Sequence, residues 1–125
     1  MITQVEAKHI LNIYKQAWED QDSDLILKIF NNDAIYHEKT FEQPYVGHNG
    51  IKQYWEDKVV KQQSNIKFKL LSLYIDGNTI IAEWDSEFDD IKLKARKHIR
   101  EVAIIELKDN KISHLREYWA SRIID

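Results

Sequence analysis

From Ile66 onward apolar residues recur at every second position, whereas before it they recur every three or four, and this change of period constrains the fold more than any other feature. Ile66, Phe68 and Leu70 alternate with lysines; Ile80, Ala82, Trp84, Ser86 and Phe88 alternate on the far side of an Asp76-Gly77-Asn78 hairpin turn. After the charged break at Asp89-Asp90, a long strand is expected over about Leu93 to Leu107. It turns at Lys108-Asp109-Asn110-Lys111 into a last strand, Ile112 to Trp119. The second half is therefore a four-stranded antiparallel sheet.

The first half reads as helices. Thr3 and Glu6 have capping-box spacing, and Ile10, Ile13, Tyr14, Ala17 and Trp18 follow at helical intervals, giving a helix over about Thr3 to Glu19. Asp22 or Ser23 caps a short second helix carrying Leu25, Ile26, Ile29 and Phe30, which the Asn31-Asn32 pair ends. Ala34 to Glu38 is a first strand. Pro44 keeps the segment from Lys39 to Gly47 irregular, and a third helix is expected from about His48 to Gln62, with Ile51, Tyr54, Trp55 and Val59 on one stripe.

Composition closes off several function classes. At 125 residues the chain is expected to form one domain over 1–125. A net charge of -3 with both signs interspersed gives no basic footprint for nucleic acid. The chain has no cysteine, hence no disulfide or thiolate chemistry, and the cytoplasm is the default location. The N-terminus lacks a signal-peptide plan and no run suits a membrane span. His37, Glu38 and His48 cluster in sequence, but neighbouring strand residues point to opposite faces, so a metal site is not expected.

Two helices, a strand, a third helix and four antiparallel strands ending in Arg116-Glu117-Tyr118-Trp119 resemble the SnoaL-like branch of the nuclear transport factor two-like superfamily. Tyr14, the Phe30-Asn31-Asn32-Asp33-Ala34 transition, Gly47 and the terminal Tyr118-Trp119 carry the likeness. It implies an α+β fold in which a cone-like curved sheet wraps around three N-terminal helices, an α+β barrel closing over a mostly apolar pocket, and a homodimer through the outer sheet face. Within that family the chain is similar to ketosteroid isomerase and to polyketide cyclase-type domains. By the isomerase match, Tyr14 falls on the oxyanion-hole tyrosine and Glu38 on the catalytic carboxylate. The protonated aspartate that gives a second hydrogen bond falls on Val102, a departure from the pattern.

Pairing the last two strands directly across their turn sets Val102 opposite Glu117, with Arg100, Ile104, Leu115 and Trp119 on the same face. That register would bring Glu38, Arg100 and Glu117, with His98, around one pocket walled by Trp18, Tyr54, Trp84 and Trp119. A bulge near Arg96-Lys97 would reverse the assignments upstream of it. Plainer roles stand beside these: a solvent carboxylate for Glu38, a core hydroxyl for Tyr14, core or wall for Trp84 and Trp119, a surface histidine for His98, and a structural pair for Arg100 with Glu117.

The expectation is a small enzyme of isomerase, cyclase or hydrolase type that needs no cofactor and takes a small apolar or amphipathic molecule. Glu38 would be its general base, Tyr14 its hydrogen-bond donor, and His98 a further acid–base candidate. The alternative is a non-catalytic small-ligand-binding or dimerisation domain of the same fold.

Overall fold

The computed structural model describes residues 1–124. Helix α1 (Gln4–Glu19) starts at the expected capping box, Thr3 and Glu6 bonding each other's backbone amides. Helix α2 (Ser23–Leu27) is capped by Asp22. Strands β1 (Phe30–His37) and β2 (Tyr45–Val46) precede α3 (Gly47–Tyr54), which continues through one π-helical segment, Trp55–Val60. Four long strands complete the chain: β3 (Gln63–Asp76), β4 (Thr79–Asp90), β5 (Ala95–Lys108) and β6 (Lys111–Ile123).

The strands form one sheet in the order β2-β1-β6-β5-β4-β3, antiparallel except where β1 lies parallel to β6. The expected α+β architecture is what forms. The long strands bury alternate residues against the helices, and the buried side chains make one continuous cluster. Tyr14 sits within an aromatic group of Trp18, Trp55, Phe68 and Trp84, with ring centroids 5.2–6.0 Å from its own. Among the described residues, no helix is long and apolar enough to cross a membrane.

Among the boundaries that differ from the sequence reading, those at the second helix, the start of β1 and the end of the last strand move through tertiary pairing. The second helix ends at Leu27, not Phe30, because Ile29 accepts a backbone bond from Ile112 and Phe30 pairs with Ile112 at the sheet's end. Asn31 and Asn32 consequently lie in β1 and do not serve as a left-handed helix stop. The last strand runs four residues past Trp119 because β5, starting at Ala95, supplies partners as far as Ile123. Gly47 does have a required conformation: its φ is +73°, and a Cβ there would sit 3.2 Å from the Asn32 carbonyl oxygen.

The decisive difference is register. The β4–β5 ladder runs without interruption from Thr79 opposite Glu106 to Asp90 opposite Ala95, so there is no bulge at Arg96-Lys97. The irregularity lies instead between β5 and β6, where Leu107 faces Ile112 but Glu106 faces His114, leaving Ser113 as an extra residue. The Ser113 hydroxyl donates to the Glu106 carbonyl at this step. Glu117 is thereby opposite Ala103, not Val102. A one-residue slip exchanges the two faces, so Glu101, Ala103 and Ile105 point inward.

Candidate active site

The cavity lies where the inner face of the sheet meets α1 and the π-helical segment, and it follows from the alternation just described. Ala34 and Tyr36 bury the inward phase of β1, and Glu38 continues it just past the strand's last residue. From β5 come Lys97, Ile99 and Glu101, and from β6 Glu117 and Trp119. Tyr14 and Trp18 come from α1; Tyr54, Trp55, Lys58 and Val59 come from α3 and the π-helical turn. The cavity has a volume of about 180 Å³. That is smaller than the ~300–1,000 Å³ of drug-sized sites, so what fills it is compact.

Glu117 is the centre of a buried hydrogen-bond network. Tyr36 donates to its Oε1 at 2.6 Å and Tyr14 to its Oε2 at 2.8 Å, the two phenol oxygens being 3.4 Å apart. Burial first, and then the Glu117 charge, push both tyrosine hydroxyls well above the usual phenol range, which keeps them protonated donors.

Glu101, only 4% exposed, lies against Glu117. Burial raises its carboxyl well above the usual carboxylate range; the Glu117 charge and hydrogen bond raise it further, with a smaller push from Glu38. Two carboxyls in one low-dielectric site cannot both ionise, so Glu101 holds the proton. Its Oε2 is buried without a hydrogen-bond partner.

Glu38 stands nearer the mouth, half-buried. Tyr54 donates to its Oε1 at 3.3 Å, and the Trp119 indole donates to its backbone carbonyl at 3.0 Å. Its carboxyl is raised by burial first and the Glu117 charge second, with Lys39, the Tyr54 hydroxyl and Lys58 pulling it back.

The structure thus brings together Tyr14, Trp18, Glu38, Tyr54, Glu117 and Trp119, all on one cavity. It does not bring His98, Arg100 or Val102 there. The Ser113 bulge turns that phase of β5 outward, so the expected Glu38, Arg100, Glu117 cluster does not form. Arg100 instead makes a bidentate bond to Asp85 at 2.6 and 2.8 Å on the outer face, and His98 Nε2 lies 3.1 Å from the same Asp85. Arg122 donates to His98 Nδ1 at 3.0 Å. Val102 is 37% exposed. Trp84 is wholly buried between Tyr14 and Phe68, in the core and away from the cavity wall. The sequence cluster of histidines also disperses, His37 Nε2 bonding the Glu42 carbonyl and His48 Nε2 the Phe30 carbonyl.

Arg100→Ala is accordingly expected to leave the midpoint of urea unfolding nearly unchanged, because the pair is exposed and Asp85 keeps His98. The Arg100 hydrogen bond holds Asp85 down to about 2, so the pair's contribution is full above the ordinary aspartate range and fades only as pH falls toward that value. A large drop in the midpoint would place Arg100 in a buried pair after all.

Two site residues escaped the sequence reading. Tyr36 shares the period-2 phase of Glu38, which was a usable signal. Glu101 sits in the run Glu101-Val102-Ala103-Ile104-Ile105, where both phases are apolar enough to be core, and only the bulge decides between them.

Comparison with known proteins bears on this geometry. The SnoaL-like domain matches residues 11–115. The chain belongs to the SnoaL-like family. Among solved structures, this SnoaL-like chain is similar to the epoxide hydrolase/cyclase-like enzyme SalBIII of pyran ring formation in the polyether salinomycin. The two share 19% identity and a TM-score of 0.84, over 99% of this chain and 100% of that one. It is also similar to an epoxide hydrolase of the LEH-like kind from M. tuberculosis, with 16% identity, TM-score 0.76, and 93% and 84% of the two chains covered. A third likeness is to a hypothetical protein with a ketosteroid isomerase-like fold from Catenulispora acidiphila DSM 44928, in complex with trimethylamine. There the identity is 13% and the TM-score 0.79, over 89% of this chain and 85% of that one. At such identities the likeness is one of fold. No curated protein matches the chain in sequence.

Proposed function

We propose that this SnoaL-like protein is a cofactor-independent acid–base enzyme acting on an uncharged oxygen electrophile, a carbonyl compound or epoxide whose reacting end is compact. The observation that carries the reading is the pair of unlike carboxyls on one small cavity: Glu101, buried and protonated with a free oxygen, and Glu38, half-buried near the mouth. Carboxyls pushed apart in this way divide into acid and base. With substrate bound, Glu101 passes its one proton, held against Glu117 in the empty site, to the substrate oxygen, the part first expected of Tyr14. Glu38 takes a proton, either from carbon beside a carbonyl or from the hydroxyl that opens an epoxide. Glu117 with Tyr14 and Tyr36 fixes Glu101 in its protonated state. The epoxide hydrolase-like character of two fold neighbours favours the epoxide branch.

The test is the pH dependence of kcat/KM over a panel of small epoxides and unsaturated ketones. Glu38 must be ionised and Glu101 protonated, and both are raised above the ordinary carboxylate range. The profile is therefore expected to be bell-shaped, its acid limb displaced upward from pH ~4.3. A flat profile would remove the acid–base pair. Saturable binding with no turnover would favour a ligand-binding module, the reading that the self-contained Tyr14, Tyr36, Glu117 network also permits, since it stands complete without a substrate.

A further inference from the structure

We infer that the ligand of this cavity is longer than the cavity itself, and that its tail is an apolar chain lying in a second hollow between Phe41 and Trp119. The inference rests on the proposed acid–base reading of the cavity and adds the class of ligand: a linear lipophilic compound whose polar oxygen is at one end. The hollow has a volume of about 260 Å³ and is bounded by Lys39, Thr40, Phe41, Glu42, Glu117 and Trp119. It shares Lys39, Glu117 and Trp119 with the main cavity, so the two adjoin at the mouth.

A single exposed apolar side chain is ordinary on a protein surface and by itself signifies nothing. Phe41 differs in how it is held. It is 100% exposed at the tip of a turn in which Glu42 N donates to the Lys39 carbonyl, while the Glu42 carbonyl is tied to His37 Nε2 at 2.8 Å. A Lys39–Glu42 ion pair at 3.4 Å lies across the same turn. These bonds hold the turn that carries Phe41 at the edge of the hollow, with its ring outside the protein's own core. Trp119, 40% exposed, also borders the hollow and has its indole anchored to the Glu38 carbonyl. Two large apolar side chains, one on a hydrogen-bonded turn and one anchored through its indole, both uncovered, thus border a hollow that meets the main cavity at Lys39, Glu117 and Trp119. A chain passing from the cavity between them would bury both.

The size of the cavity points the same way. A ligand confined to about 180 Å³ would leave Phe41 and the outer part of Trp119 in water. A tail extending outward recovers that burial at ~0.8 kcal/mol for each methylene covered, which is about fourfold in affinity.

The experiment uses the whole protein and a series of methyl ketones, from butan-2-one to dodecan-2-one, titrated by intrinsic tryptophan fluorescence. Trp18 and Trp119 line the cavity and report binding without turnover. In the wild type, affinity should rise about threefold to fourfold per methylene, continuing past the length that fills the cavity. Phe41→Ala, at an exposed site, should leave the short ketones unchanged and flatten the series for the long ones. A wild-type series that levels off or falls at the longer members overturns the inference, as does a Phe41→Ala series parallel to the wild type or no binding by any member. Turnover is read separately from the pH profile, so the tail site and the acid–base pair fail independently.

Discussion

Glu38→Gln is expected to lower kcat by about 10²–10⁴-fold on any substrate the protein turns over, with the folded state intact. The amide has the shape of the carboxyl and still accepts the Tyr54 hydroxyl, so the hydrogen bond at 3.3 Å has a replacement acceptor. What disappears is the proton acceptor. Because burial and the Glu117 charge both disfavour the ionised form of Glu38, the charge that the variant removes is one the fold does not favour at neutral pH. Its thermal midpoint should therefore equal or slightly exceed that of the wild type. A substrate whose rise in KM accounted for the whole defect would make Glu38 a binding group, and wild-type kcat in the variant would end its role as base.

The sequence made the fold legible because the period changes once, at the start of β3, and because two short signals are unambiguous. Asp76-Gly77-Asn78 closes the β3–β4 hairpin with Gly77 at φ +61°, and the Thr3–Glu6 capping box starts α1 where expected. The boundaries that moved did so where a distant partner outweighed local preference, as at Phe30, whose helical spacing yields to pairing with Ile112. Half of the site was legible for the same reason as the fold. Tyr14, Trp18 and Tyr54 lie on amphipathic stripes, and Glu38, one residue past β1, and Glu117 in β6 follow strand phases whose inward side is marked by aromatic neighbours.

The other half depended on a bulge that no local pattern announces. Ser113 is an ordinary strand residue in sequence, yet its insertion exchanges Arg100 and Val102 for Glu101 and Ala103 on the inner face. The cross-strand partners of β4 held the missing information. Ile80, Ala82 and Trp84 alternate cleanly and face Ile105, Ala103 and Glu101, so a register taken from β4, not from the last turn, selects the correct phase. The chemical consequence is large. An expected arginine–carboxylate cluster becomes a buried pair of carboxyls, the cavity-lining lysine of β5, Lys97, being paired to Asp90, and a proton takes the arginine's place.

That proton makes Glu101→Gln the sharpest test of the site's electrostatics. Glu101 has a folded-state affinity for protons raised above that of the unfolded chain, so the folded protein binds more protons than the unfolded one once pH exceeds the ordinary glutamate value of ~4.3. Its contribution to stability is full below that value and is lost progressively as pH rises toward the folded-state value. Glutamine is nearly isosteric with the protonated acid, and its amide N–H donates to Glu117 as the acid hydroxyl does, but it cannot ionise. At pH 4 the variant should match the wild type closely. At pH 8 it should be the more stable protein, by ~1–3 kcal/mol, because the wild type must by then either keep a proton that bulk solvent draws away or bury a second charge beside Glu117. Chemical unfolding at both values reads the difference directly. A variant destabilised equally at both would mean that Glu101 acts through packing alone. One destabilised more at pH 8 would mean that Glu101 is ionised and paired in the native state, and Glu101 could not then be the acid of the proposed reaction.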